Sequence, residues 1–173
     1  MLRRDPLSNP RPLIKRVYAY VAYRIGDGPD AEDVTSEVFE RALRYRDTFD
    51  PRKGEPVAWL LGIARRCIRD ARVPSAKERP AEHVDEADTR DLERDVVRRV
   101  DLTDALRRLT ERERDLVALR YGADLTARQI GELLDLSTNA VEVALSRALR
   151  RLQGELEPAS DEDDEGASEP VRV

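Results

Sequence analysis

Twice within a short span the chain places a threonine three residues ahead of Glu or Gln, directly before a run with helical apolar spacing. Thr110 and Glu113 precede "RDLVALRYGADL", and Thr126 and Gln129 precede "IGELLDLS". This is capping-box spacing, in which each side chain satisfies a backbone N–H that the first helical turn leaves unpaired. A third run, "STNAVEVALSRALRRL", follows after a turn of about three residues at "DLS". Short helices set this close, with the last two joined by so brief a turn, match the spacing of a helix-turn-helix. Ile130 and Leu134 are expected to pack on Val141 and Leu145, with Gly131 small enough for a close crossing.

The rest of the chain agrees with an all-helical reading. Its 173 residues are rich in Leu, Ala, Arg and Glu, and no stretch sustains the period-two alternation of a strand. Ahead of the capping boxes, "PLIKRVYAYVAYRIG" lines up Leu13, Val17, Tyr20, Val21 and Ile25, and Gly26 and Gly28 then stop the helix. In "PDAEDVTSEVFERALRYRDTF", Asp30 is the expected N-cap, with Val34, Val38, Phe39, Ala42 and Tyr45 on the buried side. "DPRKGEP" breaks that helix, and "VAWLLGIARRCIRDAR" restarts it with Trp59, Leu60, Ile63, Cys67 and Ile68 inward. Arg65, Arg66, Arg69 and Arg72 fall largely on the other side. The expected fold is all-α: two small helical domains, residues 10–72 and 96–153, the second a helix-turn-helix domain. An acidic linker at 73–95 joins them, and an acidic tail at 154–173 carries too little apolar surface to order itself.

Charge is segregated along the chain. The net charge of −5 divides into +4 over residues 1–72, −4 over 73–95, +2 over 96–153 and −7 over 154–173. An acidic total therefore says little about whether either body meets a polyanion. From Arg41 to Arg72 there are nine basic and four acidic residues, a surface suited to tracking phosphates, with Tyr45 or Phe49 available to stack on an unpaired base. The plain alternative is a solvated helix face with its aromatics in the core. Along "STNAVEVALSRALRRL", Thr138, Asn139, Glu142, Val143, Ser146, Arg147, Arg150 and Arg151 face outward. A DNA groove is one reading of that face, and any amphipathic hairpin is the other.

Several classes are excluded or disfavoured. No apolar run approaches the roughly 20 residues that span a bilayer, and the opening lacks a signal-peptide core, so a soluble, cytoplasmic protein without membrane insertion is expected. One cysteine, Cys67, and one histidine, His83, supply neither a disulfide nor a metal site. Cys67 reads as a buried thiol. An enzyme is not expected, because no nucleophile, base and orienting partner can be assembled, and no cofactor is implied.

"DAEDVTSEVFERAL", "FDPRKGEPVAWLLGIARRCIRD" and "LTERERDLVALRYGADLTARQIGELLDLSTNAVEVALSRALRRL" in series resemble the two domains of extracytoplasmic-function (ECF) sigma factors of bacterial RNA polymerase, over roughly Pro10 to Leu152. The resemblance implies a promoter-specificity subunit with no catalytic chemistry. Its partners are then the clamp and flap of the polymerase core, promoter DNA and an anti-sigma protein. By the same resemblance, Asp33, Glu37 and Phe39 would dock on the core, although Phe39 equally suits a buried position. Asp50, Arg52, Lys53, Gly54, Arg65, Arg66 and Arg69 would open and read the minus-ten element. Thr138, Asn139, Glu142, Val143, Ser146, Arg147 and Arg150 would read the minus-thirty-five element, and the linker would thread the enzyme's channels.

The chain departs from the family pattern at several positions. Its reading helix has "AVEVALSRA" where the family usually runs like "TVKSRLHRA", so Glu142 replaces a lysine and Ala144 an arginine. Glu142 can instead accept from a cytosine amino group. Asp135 stands in place of a turn glycine, and Arg66 where asparagine is common. Two rival readings are a stand-alone helix-turn-helix regulator of the LuxR type and a protein-interaction adaptor that has lost DNA reading. The tail is either a screen lying against arginine surfaces or a solubilising end.

Overall fold

The computed structural model describes residues 5–71 and 102–156. The linker at 73–95, the residues beyond 156, Arg72 and His83 lie outside that range.

Helix α1 (Pro10–Ile25) starts with proline in its first turn, where no N–H is needed, and ends at Gly26, whose φ of 99° suits glycine. Helix α2 (Pro29–Arg44) has Asp30 and Glu32 in its first turn and Arg41 and Arg44 in its last, matching the helix dipole at both ends. Its N-cap is Gly28 and not Asp30, because Pro29 already takes a helical position and moves Asp30 inside. The buried side runs Ala31, Val34, Thr35, Val38 and Ala42, and the Thr35 hydroxyl donates to the Ala31 carbonyl at 2.6 Å. Tyr45, expected on that side, is 51% exposed, since the helix stops at Arg44 and the chain tightens into a 3-10 turn over Arg46–Thr48.

Phe49 is buried against Trp59, ring centroids 5.6 Å apart, and so is not free to stack on a base. Helix α3 (Pro56–Asp70) buries Val57, Leu60, Leu61, Ala64 and Cys67. Trp59, Ile63 and Ile68, expected inward with Leu60 and Cys67, are half-buried at the margin. Burial pushes the Cys67 thiol above its ordinary pKa, as expected of a packed rather than a reactive cysteine.

Among the later described residues, 102–108 are helical and are termed α4. Helix α5 (Glu111–Val117) runs on as one π-turn over Ala118–Gly122, followed by α6 (Ala127–Leu134) and α7 (Thr138–Leu156). Both expected capping boxes are formed. Glu113 N–H donates to Thr110 Oγ1 at 3.3 Å while Glu113 Oε2 accepts from Thr110 N–H at 2.9 Å. Gln129 and Thr126 exchange the same pair at 3.2 and 2.9 Å.

The two groups of helices pack against each other through α1. One apolar cluster runs from Val17, Tyr20, Val21 and Leu61 into Leu116, Leu119, Leu125, Ile130 and Val141. A smaller one joins Ala105, Leu106, Leu109 and Val117 to Ala148 and Leu152. Gly122 permits the crossing: a Cβ there would lie 2.9 Å from the Ala19 carbonyl oxygen. At the rim, Arg16 donates to the carbonyls of Ala123 and Asp124 at 2.7 and 3.0 Å. The all-helical reading holds, and the closeness of the two bodies is a finding of the tertiary structure.

Candidate nucleic-acid interface

The turn between α6 and α7 is built from Asp135, Leu136 and Ser137. Asp135 adopts left-handed geometry, φ 58° and ψ 48°, a conformation its short polar side chain tolerates better than most. Leu136 N–H then donates to the Gly131 carbonyl at 2.9 Å. Gly131 is required by the turn itself: a Cβ would lie 2.6 Å from the Leu136 carbonyl oxygen. Ser137 accepts from the Ala140 N–H at 3.1 Å, capping the first turn of α7.

Helix α7 buries Val141, Leu145, Ala148 and Leu152. Thr138, Asn139, Glu142, Val143, Ser146, Arg147 and Arg150 are all exposed on its other sides. Arg147, Arg150 and Glu142 have no ion-pair partner among the described residues. Arg151 differs, since its guanidinium reaches Glu113 at 3.1 Å. The capping N–H of Thr110 and, secondarily, Arg151 hold the Glu113 carboxyl below its ordinary pKa. The positive end of this helix is therefore Arg147 and Arg150.

The other arginine-bearing face is less uniform than its sequence. In the loop before α3, Asp50 accepts from the Arg52 backbone N–H at 3.1 Å and from Arg52 Nε and Nη2 at 3.0 and 2.9 Å. Those bonds, the Arg52 side chain first, lower the Asp50 pKa to about 2. Arg52 is thus folded back on Asp50, while Lys53 is exposed. Gly54 turns the chain with φ 142°. On α3, Arg66 and Arg69 are exposed without an ion-pair partner among the described residues. Arg65 is held by Asp115, Nε to Oδ2 3.1 Å.

Of the three residues expected to dock on a core enzyme, Asp33 is exposed, Glu37 pairs with Arg41 at 2.5 Å, and Phe39 is half-buried against the apolar cluster. Between α3 and the second group of helices lies a cleft of about 820 Å³, walled by Arg24, Arg65, Arg66, Arg69, Arg112 and Asp115 on the way to the α6–α7 turn at Leu134–Leu136. Asp115 and Arg24 at its floor were not singled out from sequence, and Tyr20, which bonds Asp115 from beneath, was read only as an inward residue of its helix. A carboxylate on the apolar side of "RDLVAL" was the available signal.

Two family models match the chain, Sigma-70 region 2 over residues 11–74 and Sigma-70, region 4 over residues 99–152. The ECF RNA polymerase sigma factor SigD of Mycobacterium tuberculosis is 32% identical over 176 aligned residues, 91% of this chain and 78% of SigD. The chain belongs to the ECF sigma factors. BldN of Streptomyces coelicolor, also an ECF RNA polymerase sigma factor, is 32% identical over 79% of this chain, and the match spans about half of BldN, 54%. The same fold occurs in the sigma factor RpoE of Bartonella quintana, solved with the anti-sigma factor NepR (TM-score 0.63, 19% identity, 83% of this chain and 91% of that one). It occurs again in CnrH, solved with the cytosolic domain of CnrY (TM-score 0.59, 24% identity, 84% and 80%). Sigma factors are non-enzymatic initiation factors that direct RNA polymerase to promoters. With a region 2 match over residues 11–74, the LuxR-type reading of this sigma factor is not favoured, nor is the adaptor. No helix among the described residues is long and apolar enough to cross a membrane.

Proposed function

We propose that this chain divides promoter recognition between its two bodies while docked on the clamp and flap of RNA polymerase core. Residues 10–72 form the minus-ten unit, 96–153 form the minus-thirty-five unit, and 73–95 is the connecting linker. The observation that carries this reading is the pair of exposed cationic faces in one chain: Lys53, Arg66 and Arg69 on one body, Arg147 and Arg150 on the other. In the first unit, Asp50, Arg52, Lys53 and Gly54 shape the loop, and Arg65, Arg66 and Arg69 meet the phosphates of the opened strand. In the second, Thr138, Asn139, Glu142, Val143 and Ser146 face the bases, with Glu142 accepting from a cytosine amino group, and Arg147 and Arg150 anchor the helix on the backbone. Asp33 and Glu37 dock on the core enzyme, Phe39 serving mainly to shape that helix. An anti-sigma protein is a further partner, a reading supported by the structural relative RpoE, solved with the anti-sigma factor NepR.

Each face is small, so contacts weak in the free chain become effective once the core enzyme holds both bodies near one promoter. Transcription reconstituted with purified core polymerase on a library of genomic fragments is the test. Transcripts from a defined set of fragments, absent with core alone, are expected. Tight sequence-specific binding by the free chain, or no sigma-dependent transcript, would count against the reading.

A further inference from the structure

The floor of the cleft between the two bodies is one carboxylate shared by three donors. Asp115, on α5, has a side chain only 9% exposed. It accepts from Tyr20 Oη at 2.6 Å and from Arg65 Nε at 3.1 Å, and it pairs with Arg24 Nη1 at 2.5 Å. All three donors come from the other body, two from α1 and one from α3. Arg24 is as buried as Asp115 and also reaches Glu111 at 3.3 Å, whereas the Arg65 side chain is 38% exposed at the cleft wall.

The geometry points to a latch: Asp115 holds the free sigma factor closed and, in doing so, withdraws Arg65 from the promoter-facing side of α3. A buried carboxylate is tolerable only while its donors remain, so the cluster resists stepwise loss. Arg65 is the one donor that solvent and phosphate can reach, which makes it the point where promoter DNA competes with Asp115. Arg66 and Arg69 stay exposed in the closed form, so the latch withholds Arg65 alone. The apparent affinity of the free chain for DNA is then reduced by the fraction that is open.

The inference rests on the proposed role of α3, so the test reads closure and DNA binding separately. A donor and an acceptor fluorophore placed at introduced cysteines, Ser36→Cys on α2 and Gln153→Cys on α7, report the separation of the two bodies in the full-length chain. Two variants act by different routes. Asp115→Asn removes the charge that Arg24 and Arg65 require, while Gly122→Ala pushes a Cβ against the Ala19 backbone and changes no charge. Both are expected to lengthen the mean separation and to bind a short fluorescent single-stranded oligonucleotide about five- to tenfold more tightly than the parent. Longer separation with unchanged oligonucleotide affinity would support the latch and overturn the role given to α3. Unchanged separation in both variants would overturn the latch. Loss of helical circular dichroism in both would overturn it too, by showing the contact to be part of one indivisible core.

Discussion

At the scale of single residues, the informative positions are those where an ordinary substitution meets the backbone or a charge. Gly131→Ala sets a methyl group 2.6 Å from the Leu136 carbonyl oxygen, so the turn must open. A loss of about 1–3 kcal/mol is expected, together with weaker minus-thirty-five binding, and urea unfolding checks the first part. Asp50 gives a pH prediction. Its carboxyl is lowered in the folded loop, so the stabilising contribution is complete above the ordinary carboxylate range and is lost as pH falls through about 2. A carbon-detected NMR titration should therefore find Asp50 still ionised where other exposed carboxyls are half-protonated. A midpoint in the ordinary range would mean that Arg52 does not fold back in solution. Asp33, named from sequence only through the family resemblance, is exposed. For Phe49 the sequence left base stacking and core burial both open, and only the return of α3, which brings Trp59 beside it, decided for the core.

At the scale of the element, helix ends carry most of the local specification. The Thr126–Gln129 box sets where α6 begins, and replacing Thr126 with Ala should cost about 1 kcal/mol and lower the unfolding midpoint with little change in the slope of the transition. Helix α7, proposed to read the minus-thirty-five element, gives a contrasting test. Glu142 is exposed and close in sequence to Arg147 and Arg150, so Glu142→Lys leaves stability near its parent value and changes recognition. Holoenzyme binding should become less selective and its dependence on salt steeper by about one counterion. An unchanged salt slope would remove this position from the DNA face. These elements were legible because caps, glycine stops and helical periodicity are local. The exceptions, Asp30 and Tyr45, each lie beside a helix end that moved by a residue or two, displaced by Pro29 in one case and by the 3-10 turn in the other.

At the scale of the whole molecule, the apolar cluster shared across α1 couples the two bodies. Leu119 is fully buried in that cluster, on the side of the second body. Trp59, the chain's single tryptophan, lies in the first. Leu119→Ala should cost about 2–5 kcal/mol and should shift the midpoint followed by Trp59 fluorescence as well as the loss of helix. A Trp59 transition that stays in place while helix is lost earlier would mean that the bodies unfold independently. The composition of the chain, its helix boundaries to within a residue or two, the helix-turn-helix and the outward face of α7 were determined by sequence alone, because each depends on neighbours within a few turns. The seam at Gly122, the capture of Arg65 by Asp115 and the pairing of Phe49 with Trp59 were decided only by tertiary structure. Arg65 and Asp115 lie 50 residues apart in the chain. Local periodicity can mark a charge as facing inward or outward, but it carries no information about which distant partner will meet it.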